Sequence, residues 1–224
     1  NKVYCSGGPD TLTGSGMEAF PPANVFVFPS VGNALLPVSN GILVYTTSDV
    51  YIIPGTNITT FYGQLYQEGL GLLSPNAIDV QGSQVFIYTS DRQFLSMGAN
   101  GINEIGYAIG VTLANDFDPT TAYVTSLSSG SQDKAVFIVD GTDSWYRCNW
   151  NQPPEGGPSW SPLGTIAAGV DVMQSIETSP GVHQLLAGLP TGQVLVRDYT
   201  AFSDNGTTYT GFATFGSLVL TQPG

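Results

Sequence analysis

A hairpin written twice constrains this chain more than any other feature. Gly41–Gly55 reads GILVYTTSDVYIIPG, two β-branched and aromatic runs about a short polar turn, and Ser83–Gly98 repeats the plan as SQVFIYTSDRQFLSMG. Paired runs of this kind predict antiparallel hairpins. The tripeptide Thr47-Ser48-Asp49 returns as Thr89-Ser90-Asp91, a step of 42 residues from Asp49 to Asp91. Other segments fit the frame less literally. Lys134–Cys148 turns at Asp140-Gly141, His183–Asp198 turns at Pro190-Thr191-Gly192, and Lys2–Asp10 holds a strand followed by Ser6-Gly7-Gly8. Turn centres near positions 7, 49, 91, 142 and 191 recur at roughly the 40–50-residue interval of β-propeller blades, each a four-stranded sheet.

A blade that is apolar on both faces cannot fold alone, so neighbouring blades stack around an axis. The weak alternation of Val85-Phe86-Ile87-Tyr88 suits a strand covered on both sides. The expected fold class is therefore all-β, a propeller of four-stranded antiparallel blades. Residues 1–224 read as one such domain, with about five blades or an arc of a larger propeller. Helix is scarce. Ile102–Leu113 is one of few stretches without strand or turn signals, and Gly106 and Gly110 weaken it. Asp10–Phe28 and Asn149–Pro162 read as long loops. The chain opens on Asn1 and enters the apolar pair Val3-Tyr4 almost at once, which reads as a processed product or a fragment of a longer chain.

Composition removes several classes. Charged residues make up 10% of the chain, against about 25% in an average soluble domain. Seventeen acidic residues against five basic ones give a net charge of −12. Five cations cannot build the basic patch that a phosphate backbone requires, so sequence-specific nucleic-acid binding is excluded as a main role. No run approaches the ~18 apolar residues of a membrane-spanning helix, and no membrane insertion is expected. The 11 Tyr, 11 Phe and 3 Trp argue against a disordered chain. A chain of this length buries about 70–75% of its unfolded surface, enough to fold without a metal or disulfide. Cys5 and Cys148 read as two free, buried thiols, with pairing the open alternative.

Candidate chemistry is sparse. His183 is the single histidine and reads as structural, with no G-x-S-x-G elbow to support a nucleophile. Zinc is not expected. Asp49 and Asp91 belong to hairpin turns, where aspartate hydrogen-bonds its own backbone. Seventeen acids offer many carboxylate pairs, so a propeller glycoside hydrolase is only a third reading. Ser203–Tyr209 resembles a sialidase Asp-box superficially, but Asp204 and Gly206 each arrive one position early, and an Asn-Gly hairpin explains it better. Asn115-Asp116-Phe117-Asp118 offers oxygen ligands for a hard cation such as calcium, yet it lacks the glycine and distal glutamate of an EF-hand loop. Turn capping by Asp116 or Asp118 is the preferred reading, and neither a cofactor nor a metal is assigned. Trp150 and Trp160 bracket a Pro-rich segment and suit either an interaction surface or a pin that holds the loop on its blade. Asn57-Ile58-Thr59 and Asn205-Gly206-Thr207 are glycosylation sequons, relevant only to a chain secreted by a eukaryote.

Asn33–Leu36, Gly41–Thr46 and Val50–Gly55, continued by Gly69-Leu70-Gly71-Leu72-Leu73-Ser74-Pro75-Asn76-Ala77-Ile78, resemble a blade of the virion propeller proteins of tailed bacteriophages. In that family a glycine, a small or apolar residue, Ser-Pro and a small residue form a turn that leads into hairpins like Val85–Leu95. Ser203–Tyr209 and Gln222-Pro223-Gly224 are similar to the end of such propellers, before a further C-terminal domain. The resemblance spans roughly residues 33–224 and implies a non-enzymatic tail nozzle, stabilisation or adaptor subunit. It implies a homo-oligomeric ring, other virion subunits as partners, location in the phage tail and no catalytic residues. The family tends to continue where this chain stops, which agrees with the fragment reading. Acidity would suit a lumen past which DNA slides without sticking. The main alternative is a carbohydrate- or receptor-binding propeller that uses Trp150 and Trp160.

Overall fold

A computed structural model describes residues 2–4, 25–55, 61–99, 101–129, 133–140, 145–150, 158–162, 170, 172–180, 182–196, 203–204 and 207–208. Three four-stranded antiparallel sheets follow one another along the chain, each a simple meander in which sequence neighbours pair. Sheet I is β3 (Gly32–Val38), β4 (Gly41–Thr46), β5 (Val50–Pro54) and β6 (Gln64–Gln67). Sheet II is β7 (Ile78–Gln81), β8 (Gln84–Tyr88), β9 (Phe94–Gly98) and β10 (Gly101–Glu104). Sheet III is β11 (Tyr123–Ser129), β12 (Asp133–Val139), β13 (Trp145–Asn149) and β14 (Ser159–Pro162). Sheet IV has three described strands, β15 (Val172–Ser179), β16 (Val182–Gly188) and β17 (Val194–Val196). Two further antiparallel pairs are β1 (Lys2–Tyr4) with β2 (Val25–Val27), and β18 (Ser203–Asp204) with β19 (Thr207–Thr208).

The sheets stack face to face in chain order, because the middle strands carry apolar side chains on both faces. On β4, Leu43 and Tyr45 join the large core shared with sheet II, while Val44 turns to the other side and meets Phe28 and Ile53 beneath the β1–β2 ribbon. On β12, Val136 and Ile138 face sheet II, and Ala135, Phe137 and Val139 face Met173, Leu185 and Ala187 of sheet IV. Period-two alternation therefore survives here as alternation between two cores, not between core and solvent. The first strands of sheets II, III and IV lie side by side: β11 rests against β7 on one flank and β15 on the other. Asp79 of β7 ties this row together, its Oδ2 accepting from the Ser126 amide at 2.6 Å and the Ser126 hydroxyl at 2.8 Å.

The hairpins expected about positions 49, 91 and 191 are the turns between the second and third strands of sheets I, II and IV. Hydrogen bonding nevertheless shows that the repeated tripeptide is out of step. The first turn is closed by the Thr46 amide to Asp49 O, the second by the Thr89 amide to Gln93 O. Tyr45-Thr46 thus matches Tyr88-Thr89, and Thr47 does not match Thr89. The loop Leu189–Gln193 is the true partner of Thr89–Gln93, with the same closing bond from Leu189 N to Gln193 O.

The segment after β6 joins the two turns. Leu72 N donates to Thr46 O and Ser90 N donates to Gly71 O, both at 2.8 Å. A side chain at position 71 would overlap the Thr47 carbonyl, so the close approach demands glycine there. The next connection repeats the device. The Ser74 carbonyl accepts from Ala77 N, and the Asp118 carbonyl accepts from Ala122 N, so Ser74-Pro75 and Asp118-Pro119 are equivalent turns before β7 and β11.

Other expectations need correction. The weak helical stretch 102–113 begins as β10, passes through a 3-10 turn (Tyr107–Ile109) and is helical only in α1 (Gly110–Asp116). Strands close both segments read as long loops: β2 within 10–28 and β14 within 149–162. Pairing of Ser203 with Thr208 and of Asp204 with Thr207 brackets Asn205-Gly206, as a tight hairpin requires. Cys5, the sequon at 57–59, Asn205 of the second sequon and the turns at 6–8 and 141–144 lie outside the described residues.

Candidate binding cleft

The candidate site lies where sheets II, III and IV converge, at the end opposite the Thr46 and Thr89 turns. It is a cleft of about 700 Å³. The β7–β8 turn (Gln81–Gln84), Ser126 and Ser128 of β11, Gln174 and Ser175 of β15, His183 of β16 and Trp150 line it. The reason for this convergence is topological. The β7–β8 and β15–β16 turns, the C-terminal half of β11 and the end of β13 all point the same way in an up-and-down stack.

Asp79 is the one carboxylate among the lining residues, and both of its oxygens are engaged: Oδ2 by Ser126, Oδ1 by the Val80 amide at 2.8 Å. Among the described lining residues there is neither Lys nor Arg. Beside Asp79, the described walls present side-chain amides, hydroxyls, an imidazole and an indole.

The two tryptophans named from the sequence have different tasks. Both lie on the face of sheet III that meets sheet II. Trp160 on β14 donates from its indole nitrogen to Ile105 O at 2.6 Å and stands edge-on to Phe94, with centroids 5.1 Å apart. It pins the outer strand of sheet III to the end of sheet II. Trp150, just past β13, rests on Phe86 at 5.3 Å and is half-buried in the cleft wall. A second, smaller cavity of about 210 Å³ lies between β1 and β3, lined by Lys2, Phe28 and Asn33 among others.

Asp118 is occupied as a turn cap. Its Oδ1 accepts from the Thr120 amide and hydroxyl, each at 2.8 Å, and these bonds hold its carboxyl below the ordinary aspartate value. Asp140 Oδ1 accepts from the Thr121 hydroxyl, and its Oδ2 accepts from the Asp118 amide. Asp116 ends α1, exposed. Among the described residues no group of three or more His, Cys, Asp or Glu side chains is placed to hold a metal ion. Cys148 is a free thiol buried between sheets II and III, and burial pushes its pKa up to about 12.

Sequence reading singled out Trp150 and His183 but missed Gln81, Ser126, Ser128 and Gln174. Nothing local marks them, since they come from β7, β11 and β15, and only the stacking of three sheets makes them neighbours.

No protein-family model matches the chain, and no curated protein matches it as a relative. Among solved structures, a computationally designed protein, Ika4, aligns over 76% of this chain and 92% of its own, at 11% identity and a TM-score of 0.39.

Proposed function

We propose that the four sheets are consecutive blades of a β-propeller or of an arc of one, and that the chain is a non-enzymatic structural subunit of a tailed-phage or prophage virion. Its partners would be copies of itself or other virion proteins, arranged as a ring. The observation that carries this reading is the outer face of sheet IV, where Val172 is 44%, Ile176 38%, Val194 63% and Val196 52% exposed. A blade with one apolar face open is incompletely buried, and contiguous apolar surface marks a protein contact. At the other end of the stack Tyr4 and Val27 of the β1–β2 ribbon are exposed as well. The packing of sheets in chain order, first strands side by side, supports the propeller; the likeness of residues 33–224 to phage virion propellers supports the setting.

An acidic lumen is not part of the proposal. On the first strands of the four sheets the carboxylates are Asp79 and Glu177, whereas Asp49, Asp91, Asp116, Asp118 and Asp140 gather at one end of the stack. The test is electron microscopy with native mass measurement on the purified chain. Rings or multi-copy assemblies are the expected result, and a monodisperse monomer overturns the reading.

A further inference from the structure

The geometry points to a ligand site for a neutral oligosaccharide in the cleft between sheets II, III and IV, a function independent of the assembly reading. The volume of about 700 Å³ falls within the ~300–1,000 Å³ of small-molecule sites. The lining selects the ligand chemistry. An anion would find no cation among the described lining residues and a net charge of −12 around it. A metal ion would find one carboxylate among those residues, already bonded to Ser126 and Val80. A wholly apolar ligand would strip water from Gln81, Ser126, Ser128, Gln174 and His183 with nothing in return. A sugar chain suits both halves of this surface. Its hydroxyls give and accept hydrogen bonds with amides and serines, and its C–H face lies against an aromatic wall such as Trp150.

The surroundings agree. The β3–β4 (Ser39-Asn40) and β7–β8 (Gly82-Ser83) turns at this end carry no charged residue.

The experiment is isothermal titration calorimetry on the purified chain. The neutral probes are maltohexaose, cellohexaose, chitohexaose and mannohexaose; sialyllactose, a heparin hexasaccharide and an uncharged Ser/Gly peptide are comparators. Saturable binding of at least one neutral oligomer is expected, weakened about tenfold by Gln174→Ala and by Ser128→Arg, which loses a bonding group and fills the cleft respectively. Gln174 is exposed, so its variant keeps the test valid even if the arginine substitution does not fold. No binding of any neutral oligomer overturns the proposal. So does binding confined to the anionic sugars or the peptide, or neutral-sugar binding unchanged in the variants. The assembly reading is judged separately, by mass.

Discussion

Arg92 and Gly192 occupy the same position in two different hairpins, and only one of them is suited to it. Both follow the same closing pattern, with the amide of Arg92 on Thr89 O and that of Gly192 on Leu189 O, and both have left-handed backbones at φ 62° and 82°. This is the three-residue hairpin loop in which a turn is followed by a left-handed residue. Glycine enters that region freely, whereas an L side chain costs roughly 1–2 kcal/mol there. Arg92 offsets part of the cost through its guanidinium, which donates to the Ala114 carbonyl of α1. No atom lies within 4 Å of the site a Cβ would take on Gly192, so Gly192→Ala isolates the backbone term. The expected result is a loss of about 1 kcal/mol, read as a melting temperature lower by about 2–4 °C. An unchanged melting temperature would show that the loop relaxes out of the left-handed region at no cost. Thr125 is the complementary case. Its hydroxyl is buried on β11 with no hydrogen-bond partner among the described residues, and Thr125→Val keeps the shape while removing the unmet group. Chemical denaturation should show a gain of about 1 kcal/mol.

At the scale of elements, the turn between β4 and β5 is held by a carboxylate. Asp49 Oδ2 accepts from the Ser48 hydroxyl at 2.6 Å, and Oδ1 accepts from the Gly69 amide at 3.1 Å, linking the hairpin to the segment after β6. These two bonds, the hydroxyl first, lower the Asp49 pKa below 3.8. A carboxyl whose folded pKa is depressed contributes stability that is present above its ordinary pKa and lost as pH falls through the folded value. Stability from Asp49 should therefore be constant near neutrality and decline below about pH 4. Asp49→Asn removes the titration, so the gap in unfolding free energy between parent and variant should narrow from about pH 6 to about pH 3. A gap that stays constant would show that Asp49 stabilises the turn equally in both protonation states. Hairpins were the most legible part of this fold, because β-branched runs around a polar turn are a local signal. Their register was less so. The Thr-Ser-Asp repeat drew attention to position 47, while the buried Thr46 and Thr89 are what recur, each following a buried tyrosine. Strands β2 and β14 were hidden because each is short and flanked by Pro-rich sequence. The cleft was illegible because its walls come from three sheets and from residues far apart in the sequence.

The whole molecule separates its charge from its apolar and neutral surfaces. One end carries Asp49, Asp91, Asp116, Asp118 and Asp140; the opposite end holds the cleft, with Asp79 in its wall; the last described sheet leaves an apolar flank. Lateral packing through that flank would keep the acidic ends of neighbouring copies alike in orientation. Their repulsion would then oppose assembly and weaken as salt screens it over the ~10 Å Debye length of 0.1 M electrolyte. The apolar flank must supply the attraction, at roughly 25 cal/mol per Å² removed from water. Two charges placed there decide the matter. Val194 and Val196 both point outward from β17, so Val194→Lys with Val196→Lys should leave the fold within about 0.5 kcal/mol of the parent, as surface changes generally do. In an assembly each lysine would be buried unpaired at the contact, a cost of several kcal/mol. Native mass measurement of the double variant should find monomer where the parent forms multimers, at the same melting temperature measured on dilute protein. Multimers that persist in the double variant would place the contact elsewhere on the molecule, and the exposed ribbon carrying Tyr4 and Val27 would be the next surface to charge.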